Sequence, residues 1–340
     1  MKYIIRKFNL SVMLVTVMVT TGIVYADVSK QVSEEIEHLT RNDPLAAIAR
    51  YEDVAQSLLK QSGPDTILIY KNVLIAASNT QNTSLVEEMS LQLSSQRLAA
   101  YIPPYLFSSV NAIGVAYRKN GQFEEAVTTY KCALKHAFND IDKMIVKVNL
   151  AIAYRLMEQP AVSFQLLQSI DEAILDGNRK AGLLVVKGNT AVVLNKASEA
   201  VAFYIQAREH YLKVGHNLSA ARVTVNLLGA TLISRKLAVF KQYRALLRDL
   251  PSGYLPKSER QYLGWLDWMY NSVAQNMISL DTERYIIEQA PVLIEFGYKE
   301  HIEKLLKSLD AEHLIPEGGK RFLPTTKLKA GLASSWCQNL

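Results

Sequence analysis

Apolar residues return at i, i+3 and i+4 almost throughout the chain from about residue 28, and short turn dipeptides fall between those runs. That period places one apolar stripe along each helix, whereas strict alternation would mark strands. The pattern predicts an all-α protein built of consecutive helix pairs. Asp43 before Pro44 predicts a capped helix start, since a short acidic side chain accepts from the first free amides and proline suits the first helical position. Asn120-Gly121 predicts a helix end, because glycine adopts the left-handed conformation found there without a Cβ penalty.

The stretch from Ile113 to Leu134 reads IGVAYRKNGQFEEAVTTYKCAL, and its large and small residues stand at fixed offsets. If Gly114 takes position 8 of a unit, Tyr117 falls at 11, Ala126 at 20, Tyr130 at 24 and Ala133 at 27. Gly114 and Ala126 let two helices approach closely, and Tyr117, Phe123 and Tyr130 fill the space beside them. Glu124 and Glu125 open the second helix, where negative charge suits the dipole. Weaker copies follow, with Ala151 and Tyr154, then Gly188, Ala200, Tyr204 and Ala207, then Gly229, and an upstream half-unit carries Ala47, Tyr51 and Val54. One hairpin cannot bury its apolar face alone, so a repeat of this kind needs neighbours.

These offsets resemble the tetratricopeptide repeat, in a long-unit variant found in bacterial regulatory and scaffold proteins, with about six units spaced 37 to 41 residues apart. Phe138 stands where that family usually has proline. The resemblance implies a right-handed α-solenoid of antiparallel helix hairpins over residues 27–250, whose first helices line a concave groove. Residues 251–313, punctuated by Pro251, Gly253 and Pro256, then read as a helical cap. Ser258 is the expected start of a helix carrying Tyr262, Trp265, Leu266, Met269, Tyr270 and Val273 on one face, and helices over about 282–296 and 298–309 follow. From Leu314 to residue 340 the chain gains glycine, proline and lysine and loses acids after Glu317, which predicts a basic, mobile tail.

Composition changes the picture at the N-terminus. The 340 residues are 49% hydrophobic and 21% charged, an ordinary globular balance, but Lys2, Arg6 and Lys7 precede an uncharged run to Ala26. A positive start, an apolar run and the small-x-small exit Val24-Tyr25-Ala26 are the layout of a signal peptide cleaved after Ala26. The competing reading is an uncleaved inner-membrane anchor, against which Asn9, Thr16, Thr20 and Thr21 dilute the run. Removal of residues 1–26 leaves 35 basic against 32 acidic side chains, so the basic character that would favour nucleic acid largely goes with the leader. Cys132 and Cys337 are too few for a disulfide framework, and pairing and solitary thiols both stay open.

Candidate binding residues come from the repeat. Asn72, Asn111, Asn149, Asn189 and Asn226 recur at intervals of 39, 38, 40 and 37, each in the first helix of a unit. An amide offers a donor and an acceptor, so such a ladder can grip a peptide group, or else fix helix stacking. The resemblance implies that these positions face the groove. Arg118 and Arg155, with Lys119, follow the ladder and suit an acidic segment or terminal carboxylate, although Val148 and Val186 stand where a full carboxylate clamp wants cations. Trp265 reads as core and Trp268 as a candidate contact residue on the neighbouring stripe. Six histidines lack metal-ligand spacing, and no phosphate-cradling loop or nucleophile–base motif stands out, so neither cofactor nor metal is expected and an enzyme is disfavoured.

The sequence therefore predicts an exported binding module that holds an extended peptide or protein partner in a concave groove, as an adaptor or sensory accessory of the bacterial envelope, periplasmic or secreted. The alternative is a membrane-anchored spacer or assembly factor, in contact with the membrane only through an uncleaved leader. N-terminal sequencing of the exported form separates them: a start at Asp27 is expected, and a start at residue 1 in the envelope fraction would overturn export by cleavage.

Overall fold

The helix starts and stops read from the sequence are used almost as written, in a computed structural model that describes residues 30–251, 253–317 and 326–337. The leader and its cleavage site after Ala26 lie outside the described residues. Among the described residues every regular element is helical, and no helix is long and apolar enough to cross a membrane. The chain divides into two compact units. One is described over residues 30–137 and 326–337, the other over 138–317. The helices that follow residue 250, expected as a cap, share one core with those before it.

In the first unit α1 (30–42) and α2 (Pro44–Leu58) are followed by α3 (Pro64–Thr80), α4 (Thr83–Leu93), α5 (Leu106–Lys119) and α6 (Phe123–Lys135). Asp43 caps α2 as expected, its carboxylate accepting from the Ala46 amide at 3.1 Å with Pro44 in the first turn. Consecutive helices pack against each other, and α3 also packs on α5. In the second unit the same alternation runs through α7 (Asp140–Leu156), α8 (Pro160–Gln168), α9 (Gly177–Val193), α10 (Ala197–Lys213), α11 (Asn217–Ile233) and α12 (Leu237–Ala245). It continues with α13 (Lys257–Gln275), α14 (Leu280–Glu295) and α15 (Lys299–Lys307). The helix α13 starts at Lys257 after Pro256 rather than at a Ser258 cap, and the Ser258 hydroxyl instead donates to Glu259 at 2.6 Å.

A left-handed residue closes the first helix of successive pairs at Gln81, Gly121, Glu158, Asn195, Arg235 and Asn276, 37 to 41 residues apart. Only the second is glycine. The others accept a strained backbone so that the chain reverses in two or three residues and the next helix lies back on its partner. What holds the partners together is a notch. A Cβ on Gly114 would stand 2.5 Å from the Tyr130 ring, and one on Gly188 would stand 2.5 Å from the Tyr204 ring. Both rings are fully buried, as are Tyr117 and Ala126, while Phe123 is only half-buried. In the next pair α12 offers no ring at that offset, and Gly229 is instead met by the Tyr262 hydroxyl from α13. The expected face of α13 is core: Tyr262, Trp265, Leu266, Met269 and Val273 are buried with residues of α11, α14 and α15.

The tail expected to be mobile from 314 to 340 is, over residues 326–337, part of the first unit and ends in the short helix α16 (Ser334–Cys337). Cys132 of α6 and Cys337 form a disulfide, settling the question the sequence left open. The basic residue Lys329, read as solvated tail, has a carboxylate partner in Glu87 at 3.1 Å.

Gly188→Ala forces the added methyl into the Tyr204 ring and is expected to lower stability by about 1–3 kcal/mol, the usual cost of overpacking. The thermal midpoint followed by circular dichroism reads this. Combining it with Tyr204→Leu should give less than the sum of the two single losses, and strict additivity would overturn the notch.

Candidate functional site

The asparagine ladder divides by environment. In the first unit α1 and α3 enclose a cleft of about 440 Å³ lined by Glu37, Thr40, Arg41, Lys71, Asn72 and Asn79 together with Ile75. Asn72 is 3% exposed, and its Nδ2 donor has no hydrogen-bond partner. Its backbone carbonyl is held from α1, where the Thr40 hydroxyl donates to it at 3.3 Å and to the Ile36 carbonyl at 2.8 Å. A buried donor left unmade in this way carries a desolvation cost until an acceptor reaches it.

Next to it stands Lys71, half-buried, its ammonium 5.8 Å from the centre of the Tyr105 ring. Burial holds the Lys71 pKa below the usual lysine value; Glu37 opposes that shift and Arg41 adds to it. Arg41 pairs with Glu37 one turn away on α1. Asn79 at the other end accepts from the Lys119 ammonium through its backbone oxygen at 3.0 Å and its side chain at 3.3 Å. A fixed amide donor beside a desolvated ammonium suits a carbonyl or a carboxylate, both of which accept without bringing a proton of their own.

The remaining ladder positions do other work. Asn111 and Asn149 are each half-buried and already engaged. Asn189 accepts from the buried Tyr204 hydroxyl at 2.7 Å, which is the stacking role rather than a groove contact. Asn226 is half-buried in α11. Arg118 donates through Nε to the Tyr130 hydroxyl at 3.2 Å and so steadies the ring that fills the Gly114 notch.

Arg155 is not a free cation for a partner. It pairs with both oxygens of Glu300 on α15, and its side chain is 11% exposed. The helix α15 packs on α9 and α11 and so covers first helices of its own unit. Lys304 of the same helix donates to Asn195 at 2.5 Å. Beneath it His301 is buried, with Tyr262 ring-edge at 6.1 Å and Tyr262 stacked on Tyr298 at 3.9 Å. Arg155 Nε, the Tyr262 hydroxyl and His301 Nε2 are all buried without partners. Trp268 is 45% exposed, its ring stacked on Tyr285 at 4.6 Å, while Trp265 is core. The sequence reading had no means to see α15 over the first helices, because Arg155 and Glu300 lie 145 residues apart. Lys71 is adjacent to a ladder residue but lies outside the five-amide period, so that period does not mark it.

No protein-family model, no curated protein and no solved structure matches this chain.

Burial, reinforced by the Arg155 charge, lowers the His301 pKa from 6.5 to about 4. The unfolded chain therefore binds a proton that the folded chain refuses in the window between those values, and stability falls as pH falls from 6.5 to 4. The loss is on the order of 3 kcal/mol at the acid end. Unfolding midpoints measured across that window should slope in the wild type and flatten in His301→Gln, and equal slopes would remove His301 as the cause.

Proposed function

We propose that this chain is an exported, non-enzymatic α-solenoid of tetratricopeptide type that binds an extended peptide or protein partner, as an adaptor or sensory accessory of a cell envelope. The observation that carries the reading is the cleft between α1 and α3, where the buried Asn72 donor stands unpaired beside Lys71. A peptide carbonyl or an acidic side chain completes both groups at once, and the cleft is already formed, which limits the entropy lost on binding. The repeating left-handed closures and glycine–tyrosine notches favour the repeat family. The Cys132–Cys337 disulfide favours an oxidising compartment, since such bonds persist outside the reducing cytosol.

Within this reading the partner site lies on α1 and α3, with Asn72 as its fixed point. Arg155 and Asn189 serve the second unit's own packing.

Peptides selected by display on the immobilised full chain test the site. Asn72→Ala and Lys71→Gln should each weaken a selected peptide roughly fivefold to tenfold, the worth of one hydrogen bond to a polar or charged group. Thermal stability should hold in Asn72→Ala, because the donor it removes has no partner to lose. Selected peptides that bind both variants as well as wild type would place recognition elsewhere.

A further inference from the structure

The segment 326–332 lies against the first unit in a manner independent of the α1–α3 cleft. Among the described residues its backbone makes no hydrogen bond to the backbone of any helix there; its own backbone bonds are local, Ser334 to Gly331 and Trp336 to Ala333. Every polar contact to the body runs through side chains. Gln122 grips Leu328 at both ends, accepting from its amide at 2.8 Å and donating to its carbonyl at 3.1 Å. Tyr117 does the same across a wider step: its hydroxyl donates to the Lys329 carbonyl at 2.6 Å and accepts from the Leu332 amide at 3.1 Å. Asn120 donates to the Thr326 carbonyl at 2.9 Å. Glu87 accepts from the Lys329 amide at 2.8 Å and pairs with the Lys329 ammonium.

Over residues 326–337 only two side chains are buried, Leu328 at 3% and Ala333 at 4% exposure. Lys327, Ala330 and Ser335 point to solvent. Backbone groups read by fixed side chains, one apolar residue in a pocket and one lysine on a carboxylate are the elements by which a protein recognises an extended peptide. The readers come from separate elements, α4, α5 and the turn before α6, and Asn120 and Gln122 are themselves buried beneath the segment. If the segment leaves, those amides must find water or another backbone.

We propose that this face of the first unit is a receptor for an extended peptide carrying an apolar residue followed by lysine, filled in cis by residues 326–337 and held shut by the Cys132–Cys337 bond. While the bond stands, the tethered segment is present at a local concentration that no free peptide matches. Thiol–disulfide exchange opens it. A dithiol reductant delivers two electrons and two protons, the Cys132–Cys337 bond becomes two thiols, and the reductant leaves as its own disulfide. The segment then stays joined through the main chain at one end only, retained by the side-chain grips and the buried Leu328 and Ala333, and a peptide of the same pattern exchanges with it.

A fluorescent peptide of the sequence TKLKAGLASSW, residues 326–336, is the probe. The receptor is the full chain carrying Leu328→Asp, which weakens the cis segment and leaves the readers intact. By anisotropy, the reduced receptor should bind the probe at least about tenfold more tightly than the oxidised wild-type chain, and Gln122→Ala in the same receptor should abolish the gain. A probe with Asp in place of the leucine that corresponds to Leu328 should not bind. If Leu328→Asp lowers the helical circular dichroism signal, Lys329→Glu, which opposes Glu87, replaces it in the same comparison. Equal binding of the probe to reduced and oxidised chains of unchanged helicity, or indifference to Gln122→Ala, would make the segment a fixed staple and overturn the proposal. The α1–α3 variants should leave this binding unchanged, so the two sites succeed or fail separately.

Discussion

The close approach of two helices across a glycine is the constraint on which the α5–α6 and α9–α10 hairpins depend. At Gly114 and Gly188 the absent Cβ is occupied by a tyrosine ring, and the ring is then fixed at its far end, by Arg118 in one case and Asn189 in the other. Burial alone would leave each phenol with an unmatched hydroxyl. The polar residue on the first helix removes that cost, so an amide or guanidinium that looks like a binding group on the sequence is in fact the cap of a core ring. Where the second helix of a pair lacks the ring, at Gly229, α13 supplies Tyr262 instead, and the hydroxyl is buried with no partner beside His301. One missing tyrosine in α12 is thus connected to the acid-sensitive cluster under α15.

The regular part of this architecture was legible because it is local. Asp43-Pro44, Asn120-Gly121 and the Tyr262 to Val273 face act within one helix or one turn, and the chain uses them as read, apart from the start of α13. The five-amide ladder was legible as a period but not as a function. Period records where a residue stands on its helix, whereas its role depends on what crosses it, a tyrosine at Asn189 and open cleft at Asn72. That α11, α13 and α15 share a core is not legible from composition, because the residues that form it are spread from 221 to 314. The tail escaped for a different reason. Glycine, proline and lysine describe a chain with little apolar surface of its own, and residues 326–332 are ordered by side chains of another part of the sequence.

The two units treat peptide-like segments in contrasting ways. In the second, α15 covers its own first helices through a helix face, with His301 buried and Arg155 paired with Glu300. In the first, an extended segment is gripped at its backbone, with Leu328 buried and Lys329 paired with Glu87. The former arrangement ties stability to protonation, and the latter ties occupancy to the state of one covalent bond. Neither depends on the other.

The closure between Cys132 and Cys337 spans 205 positions, and the whole second unit is strung between them. A ribosome finishes Cys132 long before Cys337 exists, so α5 and α6 are made well before the segment they hold. During synthesis Asn120, Gln122 and Tyr117 lack the segment they will hold, and exchange of the Cys132 thiol with a foreign disulfide in that interval would keep it from Cys337. The order of manufacture therefore runs opposite to the order of assembly: α5 and α6 wait for a segment made about 205 residues later.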